Sequence, residues 1–153
     1  MKTTRRLAFA TALVAGMLTV GAAVAQSAGS CPSLPKDSGL SWKELARTDF
    51  TFCKALRDSD GGEAFAVTIA KKSPFKPKRT NREERTSIDG HQGYWYRSEV
   101  ASAPTLQVRE TLIELADGHV AHISVRATSP EQLSAVIQRA ESIRFLTTQL
   151  SSK

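Results

Sequence analysis

The sequence lacks every common catalytic signature. It has no Gly-x-Ser-x-Gly elbow, no His-Glu-x-x-His and no glycine-rich phosphate loop, so the usual serine-hydrolase, zinc-protease and nucleotide-binding routes have no support. Cysteine is limited to Cys31 and Cys53, with no Cys-x-x-Cys and no histidine beside either in sequence, which argues against a dithiol centre or a zinc site. With only 3 histidines scattered along the chain, any Ser/His/Asp triad drawn from the sequence would be arbitrary. No repeat is visible. A length of 153 residues with 41% apolar content suits one globular domain and excludes two large ones.

What is present begins with Lys2, Arg5 and Arg6, followed by an apolar run from Leu7 to Val24 that closes on Ala23-Val24-Ala25. A charged start, an apolar middle and small residues at the cut site are the parts of a secretory signal. Residues 1-25 are therefore expected to be removed, with Gln26 as the new N-terminus and the mature chain periplasmic or secreted. The alternatives are a retained anchor, since the run reaches the lower limit for a membrane span, and a lipoprotein attached through Cys31 after Ala28-Gly29-Ser30. Removing three cations and no acid halves the net charge of +6, so the basic balance is partly a targeting feature and no specific nucleic-acid partner is expected. In an oxidising compartment Cys31 and Cys53 should pair, closing a loop of about twenty residues and contributing about 3 kcal/mol.

Residues 26-40, with Pro32, Pro35, Gly29 and Gly39, read as an extended arm leading into a single domain over 41-146, with a tail at 147-153. Ser41-Trp42-Lys43-Glu44 fits a capping box and predicts a short helix from Trp42 to about Arg47. Period-two alternation around Phe50, Phe52 and Lys54, and again around Phe65, Val67 and Ile69, predicts two strands joined by the turn Asp58-Ser59-Asp60-Gly61-Gly62. Two further strands, Leu106 to Ala116 and His119 to Thr128, flank Asp117-Gly118. Ser129, Pro130 and Gln132 mark a helix start, and Leu133, Val136, Ile137, Ala140 and Ile143 recur at helical spacing, giving an amphipathic helix from Pro130 to about Ser142. The expected fold class is α+β: one antiparallel sheet, a C-terminal helix packed on one face and a short N-terminal helix.

Candidate functional residues fall in two groups. The segment Lys71 to Arg85 carries Lys71, Lys72, Lys76, Lys78, Arg79, Arg82 and Arg85 with Pro74 and Pro77, and reads as a long basic loop suited to an anionic surface or protein partner. In Gly93-Tyr94-Trp95-Tyr96 the aromatic side chains must alternate between faces; with Trp95 in the core, Tyr94 and Tyr96 offer a ligand platform, and in the reverse arrangement the tyrosines are ordinary core. A two-residue turn at Asp117-Gly118 would set Arg109 opposite Arg126 and Ile113 opposite His122, making the arginines an anion site or partners of carboxylates such as Glu110 or Glu99; because it also sets Glu110 beside Val125 on the apolar face, a bulge or a register off by one is the alternative. His119 and His122, three apart on a strand, would point to opposite faces, so no metal is assigned, and no cofactor is expected.

The order Ile88-Asp89-Gly90, an aromatic strand, Arg109-Glu110, a strand ending in Asp117-Gly118, then Ala127-Thr128-Ser129-Pro130-Glu131-Gln132-Leu133 and Ser142-Ile143-Arg144-Phe145, resembles the C-terminal half of PsbP-like and DcrB-like domains over roughly residues 88-146. The resemblance implies an antiparallel sheet flanked by helices, in secreted or lumenal accessory factors without a shared catalytic site. Together these features predict a non-enzymatic binding or accessory domain, with an inhibitor or immunity-type protein, or a small hydrolase near His122, Arg109 and Arg126, as alternatives.

Overall fold

The computed structural model describes residues 31–145, so the expected signal segment, its cut site and the tail lie outside the described residues. Seven strands form a single antiparallel sheet: β1 (Leu40–Ala46), β2 (Phe50–Arg57), β3 (Glu63–Ala70), β4 (Arg82–Ile88), β5 (His91–Ser98), β6 (Gln107–Glu114) and β7 (Val120–Ala127). Helix α1 (Pro130–Glu141) follows, and the strand order is β1-β2-β3-β7-β6-β5-β4. All strand neighbours but β3 and β7 are joined by consecutive connections. The chain therefore builds two meanders and zips them together where Phe65 to Ala70 pairs with Val120 to Val125.

The expected α+β class with a short N-terminal helix is corrected: the described residues are mostly one antiparallel sheet, Trp42 to Ala46 belongs to β1, and among the described residues the only α-helix is α1. The Ser41-to-Glu44 pattern fits a cap, but Leu40, Trp42 and Glu44 also share one face at period two. Pairing with β2 over the full strand decides between them. Trp42 packs edge-on against Phe65 at 5.6 Å, and its indole N–H donates to the Pro32 carbonyl at 2.6 Å, which gives the polar end of the ring a partner.

The basic segment is shorter as a loop than expected, because Arg82 already opens β4 and Arg82 and Arg85 are strand residues. Charge density is tolerated there because β4 is an edge strand, where Arg and Glu side chains hinder pairing with another sheet. Asp89 and Gly90 close the β4–β5 hairpin with φ of 49° and 82°, and Ile88 directly opposes His91, the pattern of a two-residue primed turn. Asp117-Gly118 behaves differently. Leu115 N donates to the His119 carbonyl at 2.8 Å, so the loop has three residues, with Gly118 at φ 82°. That extra residue shifts the pairing by one from a two-residue turn: Arg109 opposes Val125, Ile113 opposes Ala121, and Leu112 opposes His122.

One face of the sheet buries Ala55, Phe65, Val67, Ile88, Trp95, Ile113, Ile123 and Val125 against Leu133, Val136, Ile137 and Ala140 of α1. Ser129 Oγ accepts from Gln132 N at 3.2 Å, while Gln132 Oε1 accepts from Thr128 N at 2.8 Å, so the start of α1 is capped in both directions. Glu141, at the other end, accepts from Trp95 Nε1 at 3.1 Å and from Thr86 Oγ1 at 2.7 Å with one oxygen, pinning the helix over β4 and β5. Cys31 and Cys53 form a disulfide with Cα atoms 5.6 Å apart, tying the arm before β1 to the middle of β2. The same Sγ cannot also carry a lipid thioether, so the bridge and lipidation of Cys31 exclude each other. Ser33 bridges Arg144 beyond the end of α1, so the arm is clasped on both sides of Pro32.

Candidate functional site

The second face of the sheet has no helix. It is crossed instead by residues 71–81, which leave β3 at the middle of the sheet, pass over β7, β6 and β5, and enter β4 at the edge through a 3-10 turn at Arg79–Asn81. Phe75 is the only large apolar side chain in the basic segment, and it anchors this strap. Its ring stacks on His122 at 5.1 Å with 5° between planes and meets Tyr96 edge-on at 6.1 Å. Asn81 Nδ2 then donates to the Arg97 carbonyl at 3.2 Å, holding the strap's end.

Beneath Phe75, three polar side chains from adjacent strands converge. His122 Nε2 lies 2.9 Å from Glu110 Oε1, and Ser98 Oγ donates to Glu110 Oε2. Burial is the largest single influence on Glu110 and raises its carboxyl. The hydrogen bonds from His122 and Ser98 and the charges of His122 and Arg126 together outweigh it, and the carboxyl lies below its ordinary range. A group depressed in the folded state contributes stability that is complete above the ordinary carboxylate range of about 4.3 and is lost as pH falls through the lowered value. Glu110→Gln should remove that slope: between about pH 5 and pH 3 the melting temperature of wild type should fall more steeply than that of the variant, as followed by circular dichroism. Parallel curves would mean that the ionised carboxylate contributes nothing to the fold.

Chemically this trio positions charge and does not activate a nucleophile. Hydroxyl activation needs an imidazole nitrogen on the hydroxyl, whereas here a carboxylate stands between Ser98 and His122. His119 is apart from it at the hairpin, with Nδ1 3.1 Å from Asp117 Oδ2. Among the described residues no group of three or more His, Cys, Asp or Glu is gathered to hold a metal.

The proposed ligand residues are thus divided. Tyr94, Tyr96, His122 and Arg126 share the strapped face, with Trp95 fully buried on the other. Arg109 does not join them. It lies on the helix face with Arg97 as its direct cross-strand neighbour, and the bulge in β4 between Arg82 and Arg85 supplies the missing negative charge: Glu84 sits 2.9 Å from Arg109 and Glu83 3.7 Å from Arg97. Carboxylate partnering of Arg109 was expected from Glu110 or Glu99, and Glu84 provides it.

The seven candidate cations are likewise spread. Arg82 lies over the Tyr94 ring at 4.6 Å and Arg85 over the same ring at 5.9 Å, two cation–π contacts from the edge strand to β5. Lys76 and Lys78 border a cleft of about 450 Å³ with Phe75, Tyr96, Ser98 and Glu110. Lys71 and Lys72 stand at the opposite end, lining a second cleft of about 450 Å³ with Arg47, Asp49, Phe50 and His119. Sequence reasoning missed Phe75, Glu110 and Ser98 as a unit. The available signal was Phe75 itself, since a lone aromatic among lysines and prolines must find cover. Comparisons with protein-family models, with curated proteins and with solved structures find no match to this chain.

Proposed function

We propose that this protein is an exported, non-enzymatic binding module that engages an anionic envelope component or an acidic protein partner through the strap and the β4 edge. The observation that carries the proposal is the pairing of its cations. Among the described residues none of Lys71, Lys72, Lys76, Lys78, Arg79, Arg82 and Arg85 forms an ion pair with a carboxylate, although Arg97 and Arg109 beside them are both paired. Blunting an edge strand needs only a few charges, and Glu83, Glu84 and the bulge already serve that need. Uncompensated cations within one or two Debye lengths reinforce one another, and they raise the local concentration of an anionic partner.

The disulfide supports the exported setting, and no helix among the described residues is long and apolar enough to cross a membrane. The resemblance to lumenal accessory domains points the same way. The test is capture from an envelope extract by the oxidised protein, comparing wild type with K76E/K78E/R79E/R82E. The expected result is an unchanged melting curve and roughly tenfold less captured partner for the variant, because charges at a binding rim act on encounter and affinity together. Equal capture by both proteins would reduce the strap to a connector, and capture by neither would remove the accessory reading.

A further inference from the structure

We infer that the corner of the sheet that neither helix nor strap covers is a docking surface for an anionic phospholipid bilayer. Phe75 holds the strap over β7 and β5, so the same face of β1, β2 and the end of β3 is left open. The large apolar side chains exposed among the described residues are both here: Leu45 is 41% and Phe50 38% accessible. They are not scattered. Leu45 directly opposes Phe52 across the strands, and Phe50 follows on the same face of β2.

Around this apolar tip stand Lys43, Arg47, Lys71 and Lys72, all exposed, and among the described residues none of them forms an ion pair. The acids nearby do not balance them. Of the acids at this end of the sheet, Asp49 lines the cleft, Asp117 is held by His119 at 3.1 Å, Glu114 lies on the same face two strands from Ala70, and Glu44 is on the opposite face of β1. Protein interfaces are depleted in lysine, and three of the four cations here, Lys43, Lys71 and Lys72, are lysines. Apolar tips ringed by long-stemmed cations instead match a bilayer interface: leucine and phenylalanine enter the acyl boundary while lysine and arginine reach headgroup phosphates. The cleft between Arg47, Lys71 and Lys72 has room for one headgroup phosphate. Few side chains insert, so binding is reversible and needs both the apolar and the charged contribution.

This surface shares only Lys71 and Lys72 with the start of the strap, and flotation with vesicles separates it from the later strap cations Lys76, Lys78, Arg79 and Arg82. The oxidised chain from Gln26 is used, which contains the whole sheet, the helix and the disulfide. Wild type should float with phosphatidylcholine vesicles containing phosphatidylglycerol and remain in solution with phosphatidylcholine alone. L45S/F50S should lose binding, K71E/K72E should weaken it roughly tenfold or more, and K76E/K78E/R79E/R82E should keep most of it. If the serine pair fails to fold, K71E/K72E carries the test, because its residues lie outside every strand. Absence of binding by wild type, full binding by L45S/F50S, or abolition by the strap variant alone would overturn the inference, the last leaving the strap as the anionic contact. Release by inorganic phosphate but not by sodium chloride of equal ionic strength would also overturn it, in favour of a small-anion site.

Discussion

Trp95→Ala should lower the unfolding free energy by about 3–5 kcal/mol, the range for emptying a fully buried large aromatic site. Trp95 is completely buried under α1, between the edge strand and β6. Its loss removes the packing that joins helix to sheet and one of the two donors to Glu141 Oε1. Trp95→Phe keeps most of the volume and loses chiefly that donor, so it should cost about 1–2 kcal/mol. Urea titration of the two variants against wild type tests both numbers. If alanine costs no more than phenylalanine, the indole is not the contact that seats the helix.

Opening the Cys31–Cys53 bridge should cost about 3 kcal/mol, from the freedom regained by the unfolded chain over a sequence separation of 22. Cys53 is fully buried in the middle of β2, so the double alanine variant is a cleaner probe than serine, which would bury an extra hydroxyl. The arm also carries the Pro32 carbonyl that receives the Trp42 indole and the Ser33 bridge to Arg144. Releasing it should therefore loosen the β1 edge and the end of α1 together. Urea midpoints with and without reductant should separate accordingly in wild type and coincide in the alanine variant; coincidence in wild type would show that the arm is held without the bridge.

The parts legible in the sequence were those fixed by local rules. The caps at Ser129 and Gln132, the helical spacing from Leu133 to Ile143, and the alternation in β2, β3, β6 and β7 each state one element without reference to any other. Trouble arose where two local rules agreed with the same residues. Ser41 to Glu44 satisfies a helix start and a strand at once, and only the neighbouring β2 resolves it. Asp-Gly names a turn without giving its length: Asp89-Gly90 spans a two-residue hairpin, while Asp117-Gly118 belongs to a three-residue one, which moved Arg109 to the other face of the sheet. Charge hid β4, because Arg82 to Arg85 looks like loop until the strand is known to be an edge. The strap was invisible for a different reason. The contact of Phe75 with His122 joins β7 to the segment leaving β3, strands that become neighbours only through long-range pairing, so no window of sequence contains it.

The seam where β3 meets β7 has a consequence for how the molecule forms. Every other strand pair can close within a hairpin or a short connection, on the microsecond scale of such events. Joining Ala70 to Val120, and then Phe65 to Val125, must instead draw in the entire second meander at a cost in chain entropy that local pairing never meets. Pairing across this seam closes the longest loop in the sheet, and it should weigh most on the folding rate. Until it happens, the flanks of β3 and β7 are bare sheet edges, which makes this seam the place where newly made chains are most exposed to pairing with one another.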